Sequence, residues 1–278
     1  MSTRLLSLSV RWVACLIALG SLAQTRVPAA PSLEQLTPEQ GQAFLAGFRN
    51  ARLAGDLCLR FEIVHKPRRG ESLAPVKGTL WAVSRDGAQF LRGEILDAQG
   101  RPALAFLTVK SPKQSRIWLS RRGAPAQESD GKGALNPLAD GLLLSPFDLQ
   151  LPFTHWPATA YLSTEKRRRP VHVFDALNQP GREPAKVNFA IDHVSGVLVQ
   201  ATCLDAQDNQ TRTMQVEEFS KVDGQWMLAA CSVRDERTRD ADLLRITEAA
   251  LGEHFAPAVF EPAALAQPAA QPAQFKKL

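Results

Sequence analysis

From about Thr154 to Asp240, apolar side chains recur at every second residue through short segments parted by turn signals. A period of two over so many segments admits little besides an antiparallel sheet with one buried face. The segments are residues 158–165, 171–177, 185–193, 198–205, 212–219 and 225–234. Turns fall at Asp192-His193-Val194-Ser195-Gly196, at 205–209 and at Val222-Asp223-Gly224. A long antiparallel sheet with no catalytic constellation points to a carrier or a binder ahead of an enzyme.

A second set of strands precedes this one. Leu57, Leu59, Phe61 and Ile63 point one way while Arg60 and Glu62 point the other. Segments 76–84, 89–96, 103–110 and 115–121 follow, the first two joined at Arg85-Asp86-Gly87, a hairpin signal. Ahead of them Thr37-Pro38-Glu39-Gln40 opens a helix, with Thr37 as cap and Gln40 completing a capping box. Phe44, Leu45 and Phe48 give that helix an apolar side, and it is expected to end near Ala54-Gly55, where Gly55 supplies a stop. Residues 122–136 are polar and glycine-rich and read as a mobile surface loop. Residues 138–156 are the most apolar stretch outside the strands, and Pro146, Pro152 and Pro157 keep them from forming one helix.

The expected fold class is therefore mainly β. About ten or eleven strands form two meanders, with an N-terminal helix and an apolar insert over the concave face. Expected boundaries are an export signal at 1–23, a linker at 24–36, the folded domain at 37–254 and a disordered Ala/Pro-rich tail at 255–278.

The export signal rests on Arg4 and Arg11, the apolar core at 12–19, and Ser21 and Ala23 flanking Leu22. That core falls short of the roughly 20 residues that span a bilayer. Cys15 lies inside the core with Trp12 where a lipid-attachment site wants Leu, so it reads as part of the signal. An uncleaved inner-membrane anchor is the alternative, because Arg11 interrupts the region. Without Arg4 and Arg11 the 33 basic residues become 31 against 28 acidic, which removes any nucleic-acid footprint.

Cys58, Cys203 and Cys231 fit no zinc spacing and read as buried thiols, with one disulfide in an oxidising compartment as the alternative. His65, His155, His172, His193 and His254 are scattered, with no zinc-binding or nucleophile motif, so no catalytic residue, metal or cofactor is expected. His172 faces away from Val171 and Val173 and reads as a surface or hydrogen-bonded structural histidine. Lys166-Arg167-Arg168-Arg169 forms a solvated turn or a contact for anionic head groups or an acidic partner. Leu59, Phe61, Val187, Phe189, Val199 and Val216 line one concave face, either as a closed core or as a site for an apolar ligand. Phe147, Phe153 and Trp156 of the insert would cover that face and complete the lipid-binding set.

Three passages resemble the bacterial outer-membrane lipoprotein-sorting proteins, the periplasmic carriers with a LolA/LolB-like fold. They are 142–149 leading to Phe153-Thr154-His155-Trp156-Pro157, then 169–174, then 192–201 with 219–227. The resemblance implies an incomplete, strongly curved antiparallel barrel whose concavity holds the acyl chain of a lipoprotein or another lipid. It implies a periplasmic location, no enzymatic activity, and donor and acceptor proteins at the inner or outer membrane. The alternative is a non-catalytic envelope scaffold or partner-binding domain with a filled core.

Overall fold

The computed structural model describes residues 33–51, 55–111, 115–129 and 133–278. The export signal, Cys15 and most of the linker lie outside the described residues.

Helix α1 (Pro38–Asn50) begins as its sequence dictates. The Thr37 hydroxyl accepts from the Gln40 amide at 3.2 Å, and the Gln40 side chain accepts from the Thr37 amide at 2.8 Å. The first meander is β1 (Asp56–Lys66), β2 (Val76–Arg85), β3 (Ala88–Leu96), β4 (Pro102–Lys110), β5 (Ser115–Arg121) and β6 (Gln127–Ser129). The insert carries a short helix, α2 (Pro146–Gln150), and a 3-10 turn at Pro152–His155. The second meander is β7 (Ala158–Lys166), β8 (Pro170–Leu177), β9 (Lys186–Asp192), β10 (Leu198–Leu204), β11 (Gln210–Val222), β12 (Gln225–Asp235) and β13 (Ala241–Glu253).

All strands among the described residues join one antiparallel sheet of 14, in the order β6-β5-β4-β3-β2-β1-β13-β12-β11-β10-β9-β8-β7, with β14 (Lys276–Lys277) pairing β13. The count exceeds the ten or eleven expected, for three reasons. β13 escapes a period-two reading because both its faces are buried: Leu244, Ile246 and Ala249 enter the main core, while Ala250 enters a second one. A bulge opposite Arg60/Phe61 breaks its alternation further. β6 and β14 are too short to carry a pattern. Residues 122–136 accordingly hold β6 and a 3-10 turn with Ala134 buried, not simply a mobile loop.

β13 stitches the meanders together through its pairing with β1, which leaves β6 and β7 as the two edges. Side chains from nearly every strand, from α1 and from the insert meet in a single cluster, so the sheet curls around them. Glycines allow the tightest approaches. A Cβ on Gly41 would sit 2.4 Å from the Tyr161 Cβ, and one on Gly93 would sit 2.1 Å from the Phe106 ring opposite it.

The last residues are not the disordered tail that their composition suggests. Two 3-10 turns, Pro257–Phe260 and Pro262–Ala266, lay Phe260 and Leu265 on the outer face of the first meander. There they bury Cys58, Trp81, Val83, Ala105 and Leu107. Polar contacts hold the segment in place. Arg92 donates to the carbonyls of Val259 and Gln267, the Ala269 amide donates to Glu94 at 2.7 Å, and the Trp81 indole donates to the Ala270 carbonyl at 3.1 Å. The buried Arg92–Glu94 pair, 2.7 Å apart, is thus sealed by the chain end.

Candidate functional site

The insert is fastened to the inner face at both ends. Asp242 on β13 is fully buried, and its Oδ2 accepts the amides of Leu143 at 2.6 Å and Leu144 at 2.7 Å. Its Oδ1 lies 2.7 Å from His65 Nδ1. Arg212 on β11 donates to Asp148 at 2.8 Å and to the Leu143 carbonyl at 2.9 Å. Burial pushes the Asp148 carboxyl up, against the pull of Arg212 and of the Ser145 hydroxyl and amide. At the far end Arg49 of α1 donates to the carbonyls of Thr154 and Trp156. Between the clamps Leu151 takes a left-handed conformation, φ 53°, where α2 gives way to the 3-10 turn.

Of the nine residues expected to line a concavity, seven meet in the one inner cluster: Leu59, Phe61, Phe147, Phe153, Trp156, Val187 and Phe189. Their setting is a filled core over most of the sheet. Phe61 is 2% exposed, Phe153 1%, and Val187 and Phe189 0%. Phe189 lies 5.3 Å from Phe153 and 5.4 Å from Phe174, ring centre to ring centre. Val216 pairs with the inward-facing Cys231 but stays outside the cluster, next to a bulge in β11. Val199 is a correction: it lies on the opposite face with Val171, Val173 and Ala190. A bulge between Leu198 and Gln200 gives Leu198 the inward place and turns Val199 outward, the reversal that one extra residue imposes.

Open space survives where the two edges of the sheet approach each other. A groove of about 690 Å³ runs between β5 and β6 on one side and the start of β7 and the turn after β8 on the other. Ile117, Phe147, Pro152, Trp156 and Leu177 supply apolar walls, and Arg182 and Glu183 stand at its rim. Only Phe147 and Trp156 of the nine border it. Ile117 and Leu177 were missed because the sequence does not say which strands are edges; that follows from the β1–β13 pairing. A half-exposed Leu177, 51%, beside this groove is the residue that marks its mouth.

His172 and His193 form a hydrogen-bonded pair. His172 is buried, accepts or donates at 2.9 Å with the Thr164 hydroxyl, and lies 2.7 Å from His193 Nδ1. The surface alternative for His172 thus falls, and the hydrogen-bonded one holds. Burial first, then the neighbouring His193, holds its pKa below the ordinary histidine range. Asp192 does not engage His193; its carboxylate accepts the Val194 and Ser195 amides and the Ser195 hydroxyl, which builds the turn. All three described cysteines are free and buried, with thiols pushed up to about 12 by desolvation, a range in which they are poor nucleophiles. No group of three His, Cys, Asp or Glu among the described residues is placed to hold a metal. At the Lys166–Arg169 turn, Arg167 bonds Glu165 at 3.3 Å and Gln200 at 2.7 Å. No helix among the described residues is long and apolar enough to cross a membrane.

No family model matches the chain. No curated protein matches it either. Solved structures do. A crystal structure of an outer membrane lipoprotein-sorting protein domain from Vibrio parahaemolyticus superposes with a TM-score of 0.70 at 14% identity, covering 82% of this chain and 99% of that one. A DUF1329 family protein from Desulfovibrio piger gives 0.69 at 14%, covering 82% and 98%. A LolA superfamily protein from Nitrosomonas europaea gives 0.62 at 13%, covering 80% and 97%. At these identities the likeness establishes the fold, an open antiparallel half-barrel shared with lipoprotein-sorting domains.

Proposed function

We propose that this protein is a periplasmic carrier that shields the acyl chain of a lipoprotein or another lipid, with no catalytic step. The observation that carries the reading is the groove between the sheet edges. It is walled by Ile117, Phe147, Trp156 and Leu177 and falls within the size range of ligand sites, roughly 300–1,000 Å³. Each buried methylene contributes about 0.8 kcal/mol, so a long chain is held without elaborate polar recognition. The shared fold of lipoprotein-sorting domains supports the same reading. Loading would begin in the groove and extend under the insert, whose Phe147 and Trp156 already face it.

One observation favours a second reading, a scaffold that binds a partner protein at its edges. The core beneath the sheet is packed solid around Phe61, Phe106, Phe174 and Phe189. The carrier reading answers it by placing cargo at the edges instead of at the centre.

The test is native mass spectrometry on protein purified from its own envelope, paired with uptake of a fluorescent fatty acyl probe by Leu177→Asp. Leu177 is half exposed, so the variant is expected to fold, as circular dichroism would check, and a charge in the groove must be desolvated when a chain enters. Co-purifying lipid and lost uptake are expected. A lipid-free mass together with wild-type uptake by the variant would refute the carrier.

A further inference from the structure

On the other side of the insert lies a second, smaller cavity of about 290 Å³, and its polar lining does not look like packing. Thr108 and Lys110 reach it from β4, and Gln150 reaches it from the end of α2. All three are buried, at 1%, 9% and 6% exposure. The Thr108 hydroxyl and the Gln150 Nε2 have no hydrogen-bond partner among the described residues. Lys110 Nζ donates to the Gln150 carbonyl at 3.1 Å, which ties the trio together. Buried polar groups without partners are rare in native proteins and costly, so two at one cavity ask for a ligand that satisfies them.

The chemistry of the trio selects that ligand. The amide nitrogen and the ammonium are donors only, and the hydroxyl can donate. Among the described residues no carboxylate borders this cavity. Such a set matches an oxygen acceptor, best of all one carrying negative charge. Ser84 and Gln89 are the other polar residues of the wall, and the remainder is mainly apolar, with Leu57, Leu91 and Leu149 bordering the same space. An apolar chain ending in an oxygen fits both halves of the wall. Gln150 borders this cavity and the edge groove alike, so it stands where the head and the chain of one ligand would meet.

We infer that Thr108, Lys110 and Gln150 form a polar anchor for the carboxylate or carbonyl oxygens of an acyl group. The inference rests on the carrier reading and adds head-group recognition to it. The cost of the unpartnered groups in the empty protein is then the counterpart of selectivity in the loaded one.

The experiment compares palmitate, hexadecane and a synthetic diacylated lipopeptide as competitors of a fluorescent acyl probe, in the full chain and in Thr108→Val and Gln150→Met. Wild type is expected to bind an oxygen-bearing ligand at least about tenfold more tightly than hexadecane. Each variant should lose most of that ratio while its melting temperature holds or rises, because an unpartnered polar group has been removed. Dependence seen with palmitate alone assigns the site to free fatty acid; dependence seen with the lipopeptide assigns it to acylated protein; both support the anchor. Equal wild-type affinity for palmitate, lipopeptide and hexadecane overturns the anchor and leaves the carrier standing. Variants that lose melting temperature along with affinity give the side chains a structural role and overturn it too. A wild type that takes up no ligand overturns the carrier reading itself.

Discussion

The two meanders share one sheet and one inner core, yet their outer faces are opposites. Behind the first, the chain end covers Trp81, Val83 and Leu107 and closes over Arg92 and Glu94. Behind the second, Arg167, Asp175, Lys186, Asn188 and Gln200 line a shallow polar depression, and Val171, Val173 and Ala190 form a small buried cluster with Val199 packed against it. The sequences differ accordingly. Thr79-Leu80-Trp81-Ala82-Val83 and 103–107 are near-continuous apolar runs, the signature of strands buried on both faces. In the second meander β11 and β12 alternate, with Gln215, Ser232 and Arg234 on the watered face, whereas β8 and β9 bury Val171, Val173 and Ala190 on that face as well. The comparison shows that residues 257–270 belong to the fold of the first meander, while the last residues reach the second through β14 on β13 and through Lys276 against Asp223.

The largest test of that asymmetry removes residues 254–278. Phe260 and Leu265 each contribute about 1.5–3 kcal/mol by burial, and the Arg92–Glu94 pair would lose the backbone groups that complete it. A loss on the order of 5 kcal/mol or more is expected by urea denaturation, with hydrogen exchange accelerating in β2–β5 before β8–β10. Uniform acceleration would erase the distinction. A narrower test compares two ion pairs that each join residues i and i+2. Arg92–Glu94 has side chains 1% and 4% exposed, whereas Arg167–Glu165 has 32% and 45%. Glu94→Gln should cost about 3–5 kcal/mol. Glu165→Gln should cost under about 1 kcal/mol. Equal costs would mean that the tail does not seal the first pair.

The smallest effect is in the pH dependence of the second meander. His172 is held below its usual pKa by burial and by His193. The unfolded chain therefore takes up this proton at higher pH than the folded one. Stability falls as pH drops below about 6.5, and rises with pH through that window. Phe44, Tyr161, Thr164 and His193 surround the ring, so a neutral imidazole is what the site accepts. His172→Gln should flatten the slope of melting temperature between pH 5 and 7; an unchanged slope would assign it to other groups.

Much of the fold is legible in the sequence. Thr37 and Gln40 announce α1, the Asp-Gly and Val-Asp-Gly turns fix hairpins, and inner-face residues such as Phe61, Val187 and Phe189 follow from alternation. What escapes is whatever depends on two-sided burial or on a single extra residue. β13 hides because it is buried on both faces, Val199 because a bulge inverts it, and the tail because five apolar residues (Phe255, Val259, Phe260, Leu265 and Phe275) among many Ala and Pro suffice once a sheet face awaits them. The groove escapes for a topological reason: Ile117 and Leu177 become neighbours only after β1 and β13 have paired.

The central claim is that an acyl chain sits between the sheet edges beneath the insert. A photoreactive fatty acid, crosslinked to the full chain and mapped by peptide mass spectrometry, tests it most directly. The account predicts adducts on Ile117, on residues 147–157 and on Leu177. Adducts confined to the outer face around Val199 and the depression at Lys186 and Gln200, with the groove unlabelled, would contradict it.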